Sequence, residues 1–232
     1  MSENIKKITK AFVVDLDSRE NQNIILKPSA RPFNHQVHQV NEAAKKIYEL
    51  IKDAKHSNDG IILNHDKIKE AFFSPFKPQL KNAQVFLSHS HADKNKALKV
   101  KNYLESETNH RVFIDSLFWD YKDDVLNKLA KYDNTSKIKD AFVLILRESL
   151  QDMIEKCPYF VFLQSNNSVS NQGLSRITYS AWIYEELKIA HSIRESRLTP
   201  MMESMQVFHD ISPFLESLET TTLKELSHII NS

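Results

Sequence analysis

The sequence predicts an α/β protein with a parallel β-sheet flanked by helices, and three observations predict it. After residue 84, short apolar runs alternate with longer stretches of helical period. The runs "QVFLS", "RVFID" and "YFVFLQS" read as buried strands, and helical stretches between strands argue for right-handed parallel crossovers. Each run also ends abruptly in small polar or titratable residues: Ser88–His91, Asp115–Ser116 and Ser165–Asn167. A parallel sheet binds its ligands beyond the carboxyl ends of its strands, so these three ends belong along one edge.

The elements follow in order. "AFVVDLD" (Ala11–Asp17) and "NIILK" (Asn23–Lys27) read as short strands, the second closed by Pro28 and Pro32. A helix is predicted over about 35–56, where Val37, Val40, Ala44, Ile47, Ile51 and Ala54 share a face and Asn34 stands at the N-cap. Its apolar stripe is too broad to be left in water, so it should pack on the core or on a partner. A shorter helix over about 66–73 stops before Pro75, and "SPFKPQLKN" has the composition of a linker. These features place a boundary near residue 80, with an N-terminal α+β accessory region over 1–80 and the sheet domain over 81–232. Beyond it the reading is strand 84–88, helix 93–107, strand 111–115, helices 121–132 and 138–156, strand 159–164 and helix 180–194. A weaker strand at 205–209 precedes C-terminal helices whose apolar face carries Leu223, Leu226, Ile229 and Ile230. Strands 84–88, 111–115 and 159–164 should be adjacent, with the first central.

Composition narrows the function classes. The 232 residues are 41% hydrophobic and 26% charged, with a formal net charge of +1, the profile of a globular protein with no polyelectrolyte partner. Bulk-charge binding to nucleic acid is disfavoured, no apolar run approaches the roughly 18 residues of a membrane span, and the opening residues do not resemble a signal peptide. With Cys157 as the one cysteine, a cytoplasmic protein without an intrachain disulfide is expected. Glycine is scarce: Gly60 and Gly173 are the only two. Neither a dinucleotide fingerprint nor a P-loop can be written without more, because both need glycine for close backbone approach to phosphate.

Several residues could carry chemistry. His89 and His91 are two apart at a strand end, but a single cysteine and no nearby carboxylate cluster speak against a metal site. Asp115 ends an apolar strand, a place where a turn-forming aspartate is also common. Ser165–Ser168 could be a loop that satisfies its own backbone, and Cys157 a buried inert thiol. In "SAWIYEELKIAHSI", Glu186 lies one turn after Trp182 and one before Ala190, which gives it an apolar face, partial desolvation and a raised pKa. Glu185 points about 100° away, toward a more solvated face.

Four blocks in order, "VFLSHSHADK", "RVFID", "YFVFLQSNNSVSN" and "SAWIYEELKIAHS", resemble the bacterial branch of the Toll/interleukin-1 receptor (TIR) domain family over about residues 83–210. The resemblance implies a flavodoxin-like parallel sheet (the TIR fold) and cleavage of the nicotinamide–ribose bond of NAD. The products would be ADP-ribose or a cyclic ADP-ribose isomer, in Thoeris-type antiphage defence signalling. It makes Glu186 the catalytic carboxylate. It places Ser88, His89, Ser90 and His91 beside the bound NAD, Asp115 and Ser116 on its other side, and Trp182 near the nicotinamide ribose. NAD would be substrate, with no resident cofactor and no metal. Self-association through TIR surfaces and a downstream effector sensing a nucleotide signal are also implied. The sequence departs from the family in its BB loop, where "SLFWDYKDDVLNKL" has no glycine or proline and offers Phe118 and Trp119 instead, and in the inserted "NQGLSRITY". A non-enzymatic TIR interaction module and a nucleoside deoxyribosyltransferase-like enzyme are the alternative readings.

Overall fold

The computed structural model describes residues 10–26, 37–53, 56–57, 60–61, 64–73, 82–130, 136–172, 175–195 and 209–232. The first part of the chain forms β1 (Lys10–Asp15), α1 (Arg19–Ile25), α2 (Val37–Lys52), the short strands β2 (His56–Ser57) and β3 (Gly60–Ile61), and α3 (His65–Phe73). Then come β4 (Ala83–His89), α4 (Lys94–Glu107), β5 (Arg111–Ile114), α5 (Ser116–Leu129), α6 (Ser136–Lys156) and β6 (Tyr159–Gln164). The last part holds β7 (Ser170–Gln172), β8 (Ser175–Thr178), α7 (Ala181–Glu195), β9 (His209–Asp210), α8 (Ser212–Glu216), β10 (Glu219–Thr220) and α9 (Leu223–Asn231).

Five strands make one all-parallel sheet in the order β5-β4-β6-β1-β10. The protein is therefore α/β, with helices flanking a parallel sheet as in flavodoxin-like folds. β4 lies between β5 and β6, as the sequence predicts. The chain moves outward from β4 to β5 and then returns to β4's other side with β6. That reversal is a topological switch point, where the ends of neighbouring strands splay and a crevice can form. The register keeps the strand ends level: Asp15 pairs with Gln164, and His89 with Leu163.

The strands form because their residues leave no face for water. Val85, Phe86 and Leu87 of β4, Phe160–Leu163 of β6 and Ala11–Val14 of β1 are all buried, as expected of a sheet covered on both faces. Phe86 ties neighbouring strands together, with ring centroids 5.6 Å from Phe113 and 5.8 Å from Phe160. At the carboxyl end of β1, buried Asn21 donates to the Asp15 carbonyl (2.7 Å) and accepts from the Leu223 amide (2.9 Å), joining α1 and α9 to the strand. A capping box starts α9: Thr222 Oγ1 accepts from the Glu225 amide at 3.2 Å, and the Glu225 carboxylate accepts from the Thr222 amide at 3.1 Å.

Three expectations are corrected. The boundary near residue 80 does not separate two folded bodies, because β1 is hydrogen-bonded between β6 and β10 within the sheet. The compact units are 1–30 with 82–115 and 150–232, and 31–81 with 116–149. An apolar "AFVVD" run needs two hydrogen-bonded neighbours, and later strands supply them. "NIILK" is not a strand: Ser18 caps α1 by accepting from the Asn21 amide (3.4 Å), and the helix continues through Ile25. The stretch expected as a BB loop is helical from Ser116 onward, consistent with its lack of glycine and proline. The side chains of Phe118 and Trp119 lie outside the described residues, as do Asn34, the 74–81 linker and most of the 205–209 strand.

In the second unit, α2 buries Ala43, Ala44, Ile47 and Ile51 and packs against α3 and α5. Phe72 of α3 meets Phe142 of α6 at 5.0 Å between ring centroids, and His65 Nε2 sits 2.9 Å from Glu148 Oε2.

If β1 is part of the sheet, a chain lacking residues 1–18 should lose cooperative urea unfolding rather than behave as a trimmed but folded protein. Phe12→Ala, at a fully buried position of β1, should lower stability by about 3–5 kcal/mol, read from the urea midpoint. A shortened chain with an unchanged, steep transition would contradict this assignment.

Candidate active site

β4 ends in two buried polar side chains whose contacts diverge. Ser88 Oγ donates a hydrogen bond to Glu186 Oε2 of α7. His89 instead approaches Asp115, the residue just after β5, with Nδ1 3.2 Å from Oδ1. Both lie at the β4/β6 switch point. α7 is set in place at its first turn, where Ser180 Oγ accepts from the Ile183 amide at 3.3 Å. From there the helix buries Ile183, Leu187, Ile189 and Ala190, and Glu186 is carried in with them at 0% exposure.

A buried carboxyl group far from water resists ionisation. Burial is the largest cause that raises the Glu186 pKa well above the usual carboxylate range. The charge of Asp115 and a hydrogen bond shared with it push the same way, while the Ser88 hydroxyl acts in opposition. Glu186 Oε1 has no hydrogen-bond donor when both carboxyls are ionised. A proton held between Glu186 and Asp115 supplies one, which adds to burial in favouring the protonated form. His89 Nε2 is buried and makes no hydrogen bond, and the Nδ1 contact to Asp115 is close without being aligned as one.

A second polar cluster sits at the same edge and is fully partnered. Buried Asp93 accepts from Ser165 Oγ (2.5 Å) and Asn167 Nδ2 (3.0 Å), with Lys96 Nζ at 3.4 Å. Lys96 also reaches Asp17 Oδ1 at 3.0 Å, and Asp17 Oδ2 accepts from the Asn166 amide at 2.9 Å. That amide, followed by Lys96, holds the Asp17 carboxyl below its ordinary pKa. The cluster pins the loop after β6 to the start of α4 and to the end of β1.

Of the residues singled out from sequence, Ser88, His89, Asp115 and Glu186 come together. Ser165–Asn167 joins the same edge through Asp93. Ser90, half-buried, precedes a 3₁₀ turn over His91–Asp93 in which His91 is exposed. Trp182 is half-buried one turn before Glu186. Ser116 opens α5 and belongs to the second unit. Glu185 is a correction: it is only 4% exposed, with Lys188 Nζ 4.0 Å away, because α7 is covered around most of its circumference at this turn. Asp17, Asp93 and Lys96 were not singled out, although acidic residues just past strand ends ("VVDLD", "SHADK") are a readable signal. Burial pushes the Cys157 thiol up to about 12, which makes it inert. Among the described residues no three His, Cys, Asp or Glu side chains are grouped to hold a metal ion, and no helix is long and apolar enough to cross a membrane.

Fold and site define an α/β protein with a buried two-carboxyl cluster at the switch point of a parallel sheet. No family model, curated protein or solved structure matches the chain.

The raised pKa of Glu186 has a definite sign for stability. The folded state holds this proton more tightly than the unfolded chain does. The contribution is therefore complete below the ordinary value of 4.5 and is lost as pH rises through the folded value. Glu186→Gln keeps an acceptor for Ser88 and removes the titration. Urea unfolding across a pH series should show a shallower alkaline decline in this variant and equal or greater stability at high pH. An identical decline in both proteins would assign it to other groups.

Proposed function

We propose that the chain cleaves the nicotinamide–ribose bond of NAD, as a glycohydrolase or cyclase of the TIR type in antiphage defence signalling, with Glu186 as the catalytic carboxylate. The observation that carries this reading is the meeting of Glu186 with Ser88 and Asp115 at the β4/β6 switch point. The four-block TIR resemblance assigns the same glutamate.

The chemistry asks little of the protein. Nicotinamide departs from a cationic ring as a neutral molecule, taking the electron pair of the C–N bond, so no general acid is required. The ribose left behind is an oxocarbenium-like cation, and a carboxylate stabilises it by charge and by accepting from ribose hydroxyls. A group that resists ionisation in the empty site suits this role, because positive charge arriving with NAD favours the carboxylate form. Low local polarity then strengthens the attraction. Glu186 is fully covered, so a dinucleotide reaches it only when the groups above it move aside.

The test is nicotinamide release from NAD by the full chain, measured over a range of protein concentrations and with a crowding agent. Glu186→Gln should lower release by about 10²-fold or more. Absence of release from the wild-type chain under all these conditions would favour the interaction-module reading and overturn this one. Burial is the main cause of the raised Glu186 pKa and the Asp115 charge adds to it, so in Asp115→Asn the acid limb of the kcat/KM profile should move to lower pH. A limb that stays in place would mean that another group controls ionisation.

A further inference from the structure

His89 is the polar group that the cleavage step leaves unused. Its side chain is 1% exposed, yet neither ring nitrogen has a hydrogen-bond partner, and Nδ1 lies 3.2 Å from Oδ1 of Asp115. A buried imidazole without partners is costly unless something that visits the site completes it. Asp115 is also the residue whose charge bears on Glu186, so His89 and Glu186 flank one carboxyl group. Once the Nδ1 contact tightens into a hydrogen bond, Nδ1 donates to Asp115 and the Nε2 lone pair is left as an acceptor. In empty sites such contacts are often long or poorly aligned and tighten when substrate binds.

We propose that His89, held by Asp115, is the general base that delivers water to the ribose cation. This rests on the NAD reading above and extends it to the second half of the reaction. After nicotinamide has left, a water oxygen forms the bond to the anomeric carbon. His89 Nε2 takes the water's proton as the bond forms. The products are ADP-ribose and an imidazolium whose charge Asp115 balances until the proton passes to solvent. The sum is NAD and water giving ADP-ribose, nicotinamide and one proton. Capture by a ring nitrogen of adenine would need no base, whereas an O–H nucleophile such as water gives up a proton that a base must take. Asp115 is a positioning residue in this step.

Cleavage and capture can be separated by adding labelled nicotinamide. If the cation is not captured by water, nicotinamide returns to it, and label enters NAD. In the wild-type chain net formation of ADP-ribose should exceed this exchange. His89→Gln should lose ADP-ribose formation by about 10²-fold or more while exchange into NAD persists, so that the ratio of exchange to hydrolysis rises at least as much. Glu186→Gln should lose both together. Thermal melts of each variant identify a protein that has not folded, and His89→Asn then serves as the second, smaller replacement. Folded His89 variants that retain hydrolysis, or that lose exchange and hydrolysis in parallel, would overturn the assignment of the base while leaving the NAD reading intact. A wild-type chain whose product is joined through an adenine ring nitrogen would do the same. A wild-type chain with neither exchange nor release would overturn the NAD reading, and this inference with it.

Discussion

The pairing of β6 on both of its edges is the constraint on which everything else depends. Its six residues are in register with β1 on one side, and five of them with β4 on the other. A parallel strand in that position must be apolar on both faces, and "YFVFLQ" is. Once it is seated, Asp15, His89 and Gln164 end within one residue of the same level. Polar residues that follow those ends are thereby gathered along one edge, although they come from distant parts of the sequence.

That edge separates into two electrostatic regimes. Around Asp93 and Asp17 each charge is met: a lysine bridges two carboxylates, and hydroxyl, amide and backbone donors fill the rest. A network satisfied in this way is rigid and holds loop to helix. A short distance along the chain, beside Ser88 and Asp115, both ring nitrogens of His89 and Oε1 of Glu186 are buried without a hydrogen-bond partner. Polar groups left incomplete in a folded interior raise the energy of the empty state. Binding a ligand with hydroxyls and positive charge relieves that cost, which is how a site can prefer a reacting species over water.

Much of this was legible in the sequence because it follows from local pattern. The apolar runs of β4, β5 and β6 identify themselves, and helical spacing from Trp182 picks Glu186 over its neighbour. Long-range facts were not legible. Nothing in "AFVVDLD" says that its partners are "YFVFLQ" and the two residues of β10, so local pattern alone does not join the N-terminal strand to the sheet. Glu185 looked solvated because helical geometry gives direction only, and cover comes from elements remote in sequence. In "SRENQNII" the Ser18 cap outweighs the β-preference of the isoleucines, a competition that propensity alone does not settle. The pairing of His89 with Asp115 likewise required adjacent strand ends.

The interior position of β1 has a consequence for biogenesis. During synthesis it leaves the ribosome well before its neighbours, which begin at Tyr159 and Glu219. Until then an apolar strand waits with both edges unpaired, and β4 and β5 can associate without it. Closure of the sheet depends on contacts of very long sequence separation, which form slowly because the loop entropy is lost before any contact is gained. While the intervening residues are made, the nascent chain exposes unpaired strand edges, the condition under which aggregation competes with folding.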